Sequence, residues 1–254
     1  MPVLRVTRKE LDLTSSDAAA RLKALLRPGD AVVAASAKAP CKDAAMLIEN
    51  VAMARAMVQA LCACAPAHVV NISSDAVYAD SAAPLTESSC ASPSSLHGAM
   101  HLTREVLFRG EIKAPLAILR PSLLYGAADP HNGYGPNRFR RQAAKGEDIV
   151  LFGQGEERRD HVFIDDVAEL AARVLYRRST GVLNVATGAV HSFADIAREV
   201  ISISGSRSSV RTTERTGPMP HNGYRPFDAA GCRKAFPDFR FTSLEEGLRK
   251  AQHG

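Results

Sequence analysis

Val69-Val70-Asn71-Ile72-Ser73-Ser74-Asp75-Ala76-Val77-Tyr78 opens as an apolar, β-branched run and breaks at paired serines; beyond a polar loop, Ser94-Ser95-Leu96-His97-Gly98-Ala99-Met100-His101 reads as the start of a helix. A short apolar run bounded by turn residues fits a buried parallel strand. A strand end carrying hydroxyls beside a helix carrying ionisable side chains is how open α/β sheets build sites. Ligands in such sheets sit outside the carboxyl ends of the strands.

Working outward, Asp30 to Ala37 reads as a second buried strand and Pro115 to Leu119 as a third. Leu47, Val51, Ala54, Val58 and Leu61 keep helical spacing over 46–61, and the site helix is predicted over 97–108. Upstream, Val3 to Val6 reads as a short strand, and Ser15 or Ser16 caps a helix that runs through Leu26 and stops at Pro28-Gly29. Downstream, strands are predicted at 148–152 and 181–185. Asp166 with Glu169, Ser192 with Asp195 and Ser243 with Glu246 have the spacing of helix caps. This alternation predicts an α/β chain with a doubly wound parallel sheet.

The chain has 254 residues, 46% hydrophobic and 23% charged, enough for one substantial core or a core with a satellite lobe. No apolar run approaches the ~20 residues of a membrane span, and the start lacks a signal-peptide pattern, so a cytoplasmic protein is expected. Five cysteines without framework or zinc-site spacing point to incidental thiols. The net charge of +5 and pI near 9.1 suit an anionic ligand. Nucleic-acid binding needs a more concentrated basic face than Arg138-Phe139-Arg140-Arg141 supplies.

The serine pair followed by Ala-Val-Tyr, the loop with Pro84 and Glu87, Arg120-Pro121-Ser122-Leu123-Leu124-Tyr125-Gly126, and above all Gly153-Gln154-Gly155-Glu156-Glu157-Arg158-Arg159-Asp160-His161-Val162-Phe163-Ile164-Asp165-Asp166-Val167-Ala168 resemble the extended short-chain dehydrogenase/reductases of the NAD-dependent epimerase/dehydratase type. The resemblance covers nearly the whole chain. It implies a Rossmann-like core over 1–128 and a smaller substrate-binding lobe over 129–254, interleaved with the last core strands. It further implies NAD or NADP as cofactor, a nucleotide-activated sugar as substrate, and a homodimer built on the helices containing Asn50 and 97–108. Such a core should open with a Gly-rich turn, yet no glycine precedes Gly29. The chain therefore starts about one βαβ unit, roughly 30 residues, late.

By resemblance, Asp12 meets the adenine, Ala35, Ser36 and Ala37 line the cofactor ribose, and Asn50, Ser73 and His101 complete the cofactor side. Asn137, Arg138 and Arg159 meet the sugar nucleotide, Arg159 its diphosphate, which a planar guanidinium suits. The family's catalytic set is a Ser or Thr with Tyr-x-x-x-Lys. Ser74 matches the serine, also facing substrate, but His97 and His101 stand at the tyrosine and lysine positions. An imidazole titrates near pH 6.5, against about 10 for a phenol, so His97 would act as a base without a lysine's help. Its tip is roughly 2 Å shorter than a phenol's, so it cannot simply replace tyrosine in an unchanged pocket. His97, His101 and Glu105 share a helix face, but the sequence names no further metal ligand, and no metal is expected. The same spacing serves a packed or solvated pair. The expected function is an epimerase, dehydratase or reductase of nucleotide sugars, the alternative being a non-catalytic relative that senses sugar nucleotide or completes another protein.

Overall fold

The computed structural model describes residues 2–129 and 132–252. In chain order its elements are α1 (Ala18–Leu25), β1 (Ala31–Ala34), α2 (Ala44–Cys64), β2 (His68–Ile72), α3 (Leu96–Glu111), β3 (Leu116–Pro121), β4 (Leu123–Tyr125), α4 (Pro136–Ala144), β5 (Ile149–Phe152), β6 (Arg158–Phe163), α5 (Ile164–Arg177), β7 (Gly181–Val185), β8 (Val190–Ser192), α6 (Phe193–Ser204), β9 (Val210–Thr213), β10 (Tyr224–Arg225), α7 (Ala230–Ala235) and α8 (Leu244–Gln252). They form two compact units. The first takes residues 1–79, 90–120 and 171–183; the second takes 80–89, 121–170 and 184–254.

In the first unit the sheet order is β1-β2-β3-β7, with β1, β2 and β3 parallel and Val33, Val70 and Ala117 in register. This is the α/β Rossmann-like sheet the sequence predicts. Asp43 starts α2 by accepting from the Met46 amide at 2.8 Å, and Ala65 stops it in the left-handed region at φ 52°. α2 packs between α1 and α3, burying Ala54, Val58 and Leu61 against Ala34, Val69 and Phe108. By length and composition α2 is apolar enough to cross a membrane, with 39% of that window buried. Its apolar run is interrupted in the sequence by Glu49, Asn50 and Arg55.

Val3 to Val6 does not form the expected strand. Among the described residues no strand pairs with it, and Val3 and Leu4 are left 85% and 70% exposed. α1 begins later than expected, after Asp17, because Ser15 turns its hydroxyl to the Asp12 carbonyl and the Asp17 carboxylate.

The second unit holds a β10-β6-β4 sheet with β8 antiparallel on β6, and a separate parallel β5–β9 pair. Phe139, Ile149, Phe163, Phe193 and Ile196 fill its core. Gly247 is required there: a Cβ would lie 2.0 Å from the Tyr125 hydroxyl oxygen. Ser192 and Asp195 form the expected capping box of α6, and Ser243 accepts from the Glu246 amide at 3.2 Å. Asp166 does not cap α5. Its carboxylate accepts from the Thr242 amide and hydroxyl at 2.8 and 2.7 Å, so a tertiary contact replaces the local one.

Candidate active site

Unit one supplies a strand end, a tight turn and a helix start. β2 ends at Ile72, and the Ser73 amide extends its ladder to the Leu119 carbonyl at 2.8 Å. The Ser73 hydroxyl turns inward and donates to Glu105 at 2.6 Å. Ser74 caps the short 3-10 turn of 75–77, its hydroxyl accepting from the Ala76 amide at 3.1 Å and donating to Asp75 at 3.3 Å. Ser95 starts α3 by accepting from the Gly98 amide at 3.1 Å. Gly98 lets the two pieces meet: a Cβ there would lie 2.0 Å from the Ala76 carbonyl oxygen. The turn after Ser74 and the first turn of α3 are thus in direct contact.

His97 is half-buried, and its Nδ1 accepts from the Cys41 amide at 3.4 Å. That places the proton of the neutral ring on Nε2. His101 lies one turn on, its ring edge-on to His97 with centroids 4.8 Å apart. Burial, the neighbouring His97 and the Arg104 charge hold His101 down at about 3, so it is neutral across the physiological range. It supplies no cation where the family lysine would stand.

Sequence reasoning passed over Arg104, the cation buried on this helix. It donates to Asn71 Oδ1 at 2.6 Å, to the Ser36 carbonyl at 2.5 Å and to the Ala34 carbonyl. Burial lowers its pKa to about 10. Arg104 thereby fastens α3 to the carboxyl ends of β1 and β2. Glu105, fully buried, accepts from Arg120 at 2.8 and 2.6 Å and from Arg109 at 2.9 Å as well as from Ser73. Arg120 in turn stacks on Tyr78, 4.7 Å from the ring centroid, so the tyrosine of Ala-Val-Tyr is a core residue.

The expected cofactor residues take separate parts. Ala35 and Ser36 are exposed and Ala37 half-buried at the end of β1. Asn50 is buried and clamps Lys38, accepting from its amide at 2.8 Å and donating to its carbonyl at 3.0 Å. The Asp12 carboxylate accepts from the Thr14 amide and hydroxyl, which with Arg8 hold it at about 2. The buried His101 Nδ1 has no partner among the described residues, and an orphaned ring nitrogen beside a strand end fits a ribose hydroxyl. These residues fit the ribose end of a dinucleotide. The stretch before Gly29 offers the pyrophosphate no glycine turn.

In unit two, Asn137 is buried; it accepts from the Gly126 amide at 3.1 Å and donates to Asp129. Arg138 is half-buried on α4. Arg159 is 3% exposed, and its guanidinium donates to Glu157, to the Pro220 carbonyl and, at 2.8 Å, to the Arg158 carbonyl. Asp80, His221 and Arg225 form a polar group that no local spacing announces, since Asp80 and His221 are 141 residues apart in the chain. Among the described residues no three His, Cys, Asp or Glu side chains are grouped to hold a metal ion.

Residues 3–186 match the NAD dependent epimerase/dehydratase family. An uncharacterized UDP-glucose epimerase of Bacillus subtilis is 24% identical over 185 residues, 70% of this chain and 57% of that protein. The UDP-glucuronic acid 4-epimerase of Bacillus cereus, solved with UDP-glucuronic acid and NAD, superposes with a TM-score of 0.81 at 21% identity over 96% of this chain and 79% of that one. The UDP-N-acetylglucosamine 4-epimerase of Methanobrevibacter ruminantium, solved with UDP-N-acetylmuramic acid, gives 0.84 at 21% identity over 96% and 81%. These likenesses establish the fold.

Proposed function

The chain belongs to the NAD dependent epimerase/dehydratase family, and on that premise we propose that it binds a nucleotide-activated sugar and, with NAD or NADP, carries out an epimerisation, dehydration or keto reduction. The observation that carries this reading is the contact between the turn after Ser74 and the first turn of α3, made possible by Gly98. It brings a hydroxyl and an imidazole to one strand end, which is where this chemistry needs them.

Ser74 hydrogen-bonds the reacting substrate oxygen. His97 meets the same oxygen as a donor through Nε2, because its Nδ1 is taken by the Cys41 amide. It becomes a base only in the tautomer that gives up that long contact. His101 offers Nδ1 to a ribose hydroxyl, and the end of β1 lines the sugar. NAD, when bound, supplies the hydride acceptor and donor. We place the protein in the cytosol, where cysteines stay reduced; all five are free in the structure.

A second reading has its own observation. His101 is neutral, so the position of the family lysine supplies no cation, and this favours a protein that binds sugar nucleotide without turning it over. Calorimetric titration with NAD, NADP and UDP-, GDP- and dTDP-sugars, followed by turnover assays, separates the two. Dinucleotide and sugar-nucleotide binding with turnover that His97→Ala abolishes supports the enzyme. Sugar-nucleotide binding alone supports the binder, and unchanged turnover in His97→Ala removes His97 from the chemistry.

We also propose a homodimer through α2 and α3, which pack on each other and expose Ile48 and Val106 at 69% and 59%. Sedimentation should show a dimer at micromolar concentration; a monomer alone rejects it.

A further inference from the structure

Arg104 is 3% exposed, and its acceptors, Asn71 Oδ1 and the carbonyls of Ser36 and Ala34, are all uncharged. Glu105, the next residue along α3, does not balance it, because that carboxylate serves Arg120, Arg109 and the Ser73 hydroxyl. Among the described residues no carboxylate pairs with Arg104. A charge is costly to bury in this way, and a guanidinium does not shed it.

The two carbonyls decide where that charge is felt. A trans peptide sets its C=O and N–H in opposite directions, and the 34–35 and 36–37 bonds are trans. With the Ala34 and Ser36 carbonyls turned to the buried guanidinium, the Ala35 and Ala37 amides point away from it. Ala35 and Ser36 are exposed and Ala37 is half-buried, and neither amide has an acceptor among the described residues. The segment is fixed at its far end as well. Asn50 holds the amide and carbonyl of Lys38 at 2.8 and 3.0 Å, and Lys38 Nζ pairs with Glu49 at 2.6 Å. Two free amides held in one segment make a cradle for oxygen anions. A carbonyl that accepts from a cation polarises its peptide unit, which strengthens the donor at the other end.

We infer that Arg104 is a positioning residue for a phosphate group of the dinucleotide: it aims the Ala35 and Ala37 amides at the phosphate oxygens and passes its charge to them through two peptide units, without touching the ligand. This deepens the proposed function and rests on it. The cation that position 101 lacks is thereby supplied one turn further along α3, through the backbone rather than by contact.

ADP and adenosine share a base and a ribose and differ in the diphosphate. Their affinity ratio therefore reads the phosphate contact, whereas a loosened fold weakens both alike. Calorimetry of the full chain should show ADP binding on the order of tenfold tighter than adenosine. Arg104→Lys, which keeps the charge but not the fork, should retain part of that ratio, and Arg104→Met should bring it to about one. A ratio near one in wild type, or one unchanged in Arg104→Met, would overturn the inference. If neither variant folds, the wild-type chain decides by NMR: NAD should move the Ala35 and Ala37 amide protons downfield, and adenosine should leave them in place. NAD binding with both amides unmoved overturns the inference and leaves the proposed function standing. If NAD does not bind, inorganic pyrophosphate decides: a downfield shift of both amides keeps the phosphate cradle without that reading, and no shift removes both.

Discussion

Two carboxylates, each held by arginine, behave differently in the two units. Glu105 in the first is fully buried and surrounded by Arg120, Arg109 and the Ser73 hydroxyl. Asp80 in the second is about one-third exposed and shares Arg225 with His221, itself open to solvent. The same chemistry is sealed in one unit and left open to solvent in the other. In a sealed network every donor already has its acceptor, so nothing remains for a ligand. In the open one an imidazole nitrogen is left over.

The sharpest test compares isosteric amides. Glu105→Gln keeps the shape but leaves the buried Arg120 without its counter-charge, which costs about 3–5 kcal/mol. Asp80→Asn also removes a partner of a buried guanidinium, that of Arg225, but from a carboxylate one-third exposed and reached by water, and should cost less than Glu105→Gln. Urea unfolding of the two variants measures both. Equal losses would mean that Asp80 is as structural as Glu105, and the contrast would fail.

Much of this contrast was invisible in the sequence, and for identifiable reasons. The run from Gly153 to Ala168 was legible as a family motif, because its residues are contiguous in the chain, and the family match bears it out; the strand it contains, β6, was not predicted. The buried strands at 69–73 and 115–119, the site helix and the α6 capping box were legible in the same way; β1 also forms where a buried strand was expected, but at the sheet edge, with Val33 42% exposed. The failures are tertiary. Val3 to Val6 reads as a strand but has no pairing neighbour among the described residues, and Asp166 looks like a cap yet binds Thr242. Arg104 sits on a helix face where a cation reads as solvated, but it reaches the ends of two strands. Arg159 was expected at the substrate diphosphate; that its donors hold the Pro220 carbonyl was not legible. His221 lies in irregular backbone, far along the chain from Asp80, where no spacing rule applies.

A smaller effect sharpens the comparison from the opposite side, through buried groups that stay neutral. Each unit holds such a histidine: His101 in the first, and in the second His161, pushed down to about 3 chiefly by burial. The unfolded chain takes up a proton on each ring near pH 6.5, whereas the folded protein refuses it until about pH 3. The folded pKa is the depressed one, so each histidine makes stability fall as pH falls through that window and has no such effect above it. The slope is about 1.4 kcal/mol per pH unit per histidine. His101→Gln should remove one of these contributions, visible as a shallower loss of urea-unfolding free energy between pH 6 and 4. An unchanged slope would mean that the His101 ring is hydrated, and the first unit would then be open at the position where the structure shows it closed.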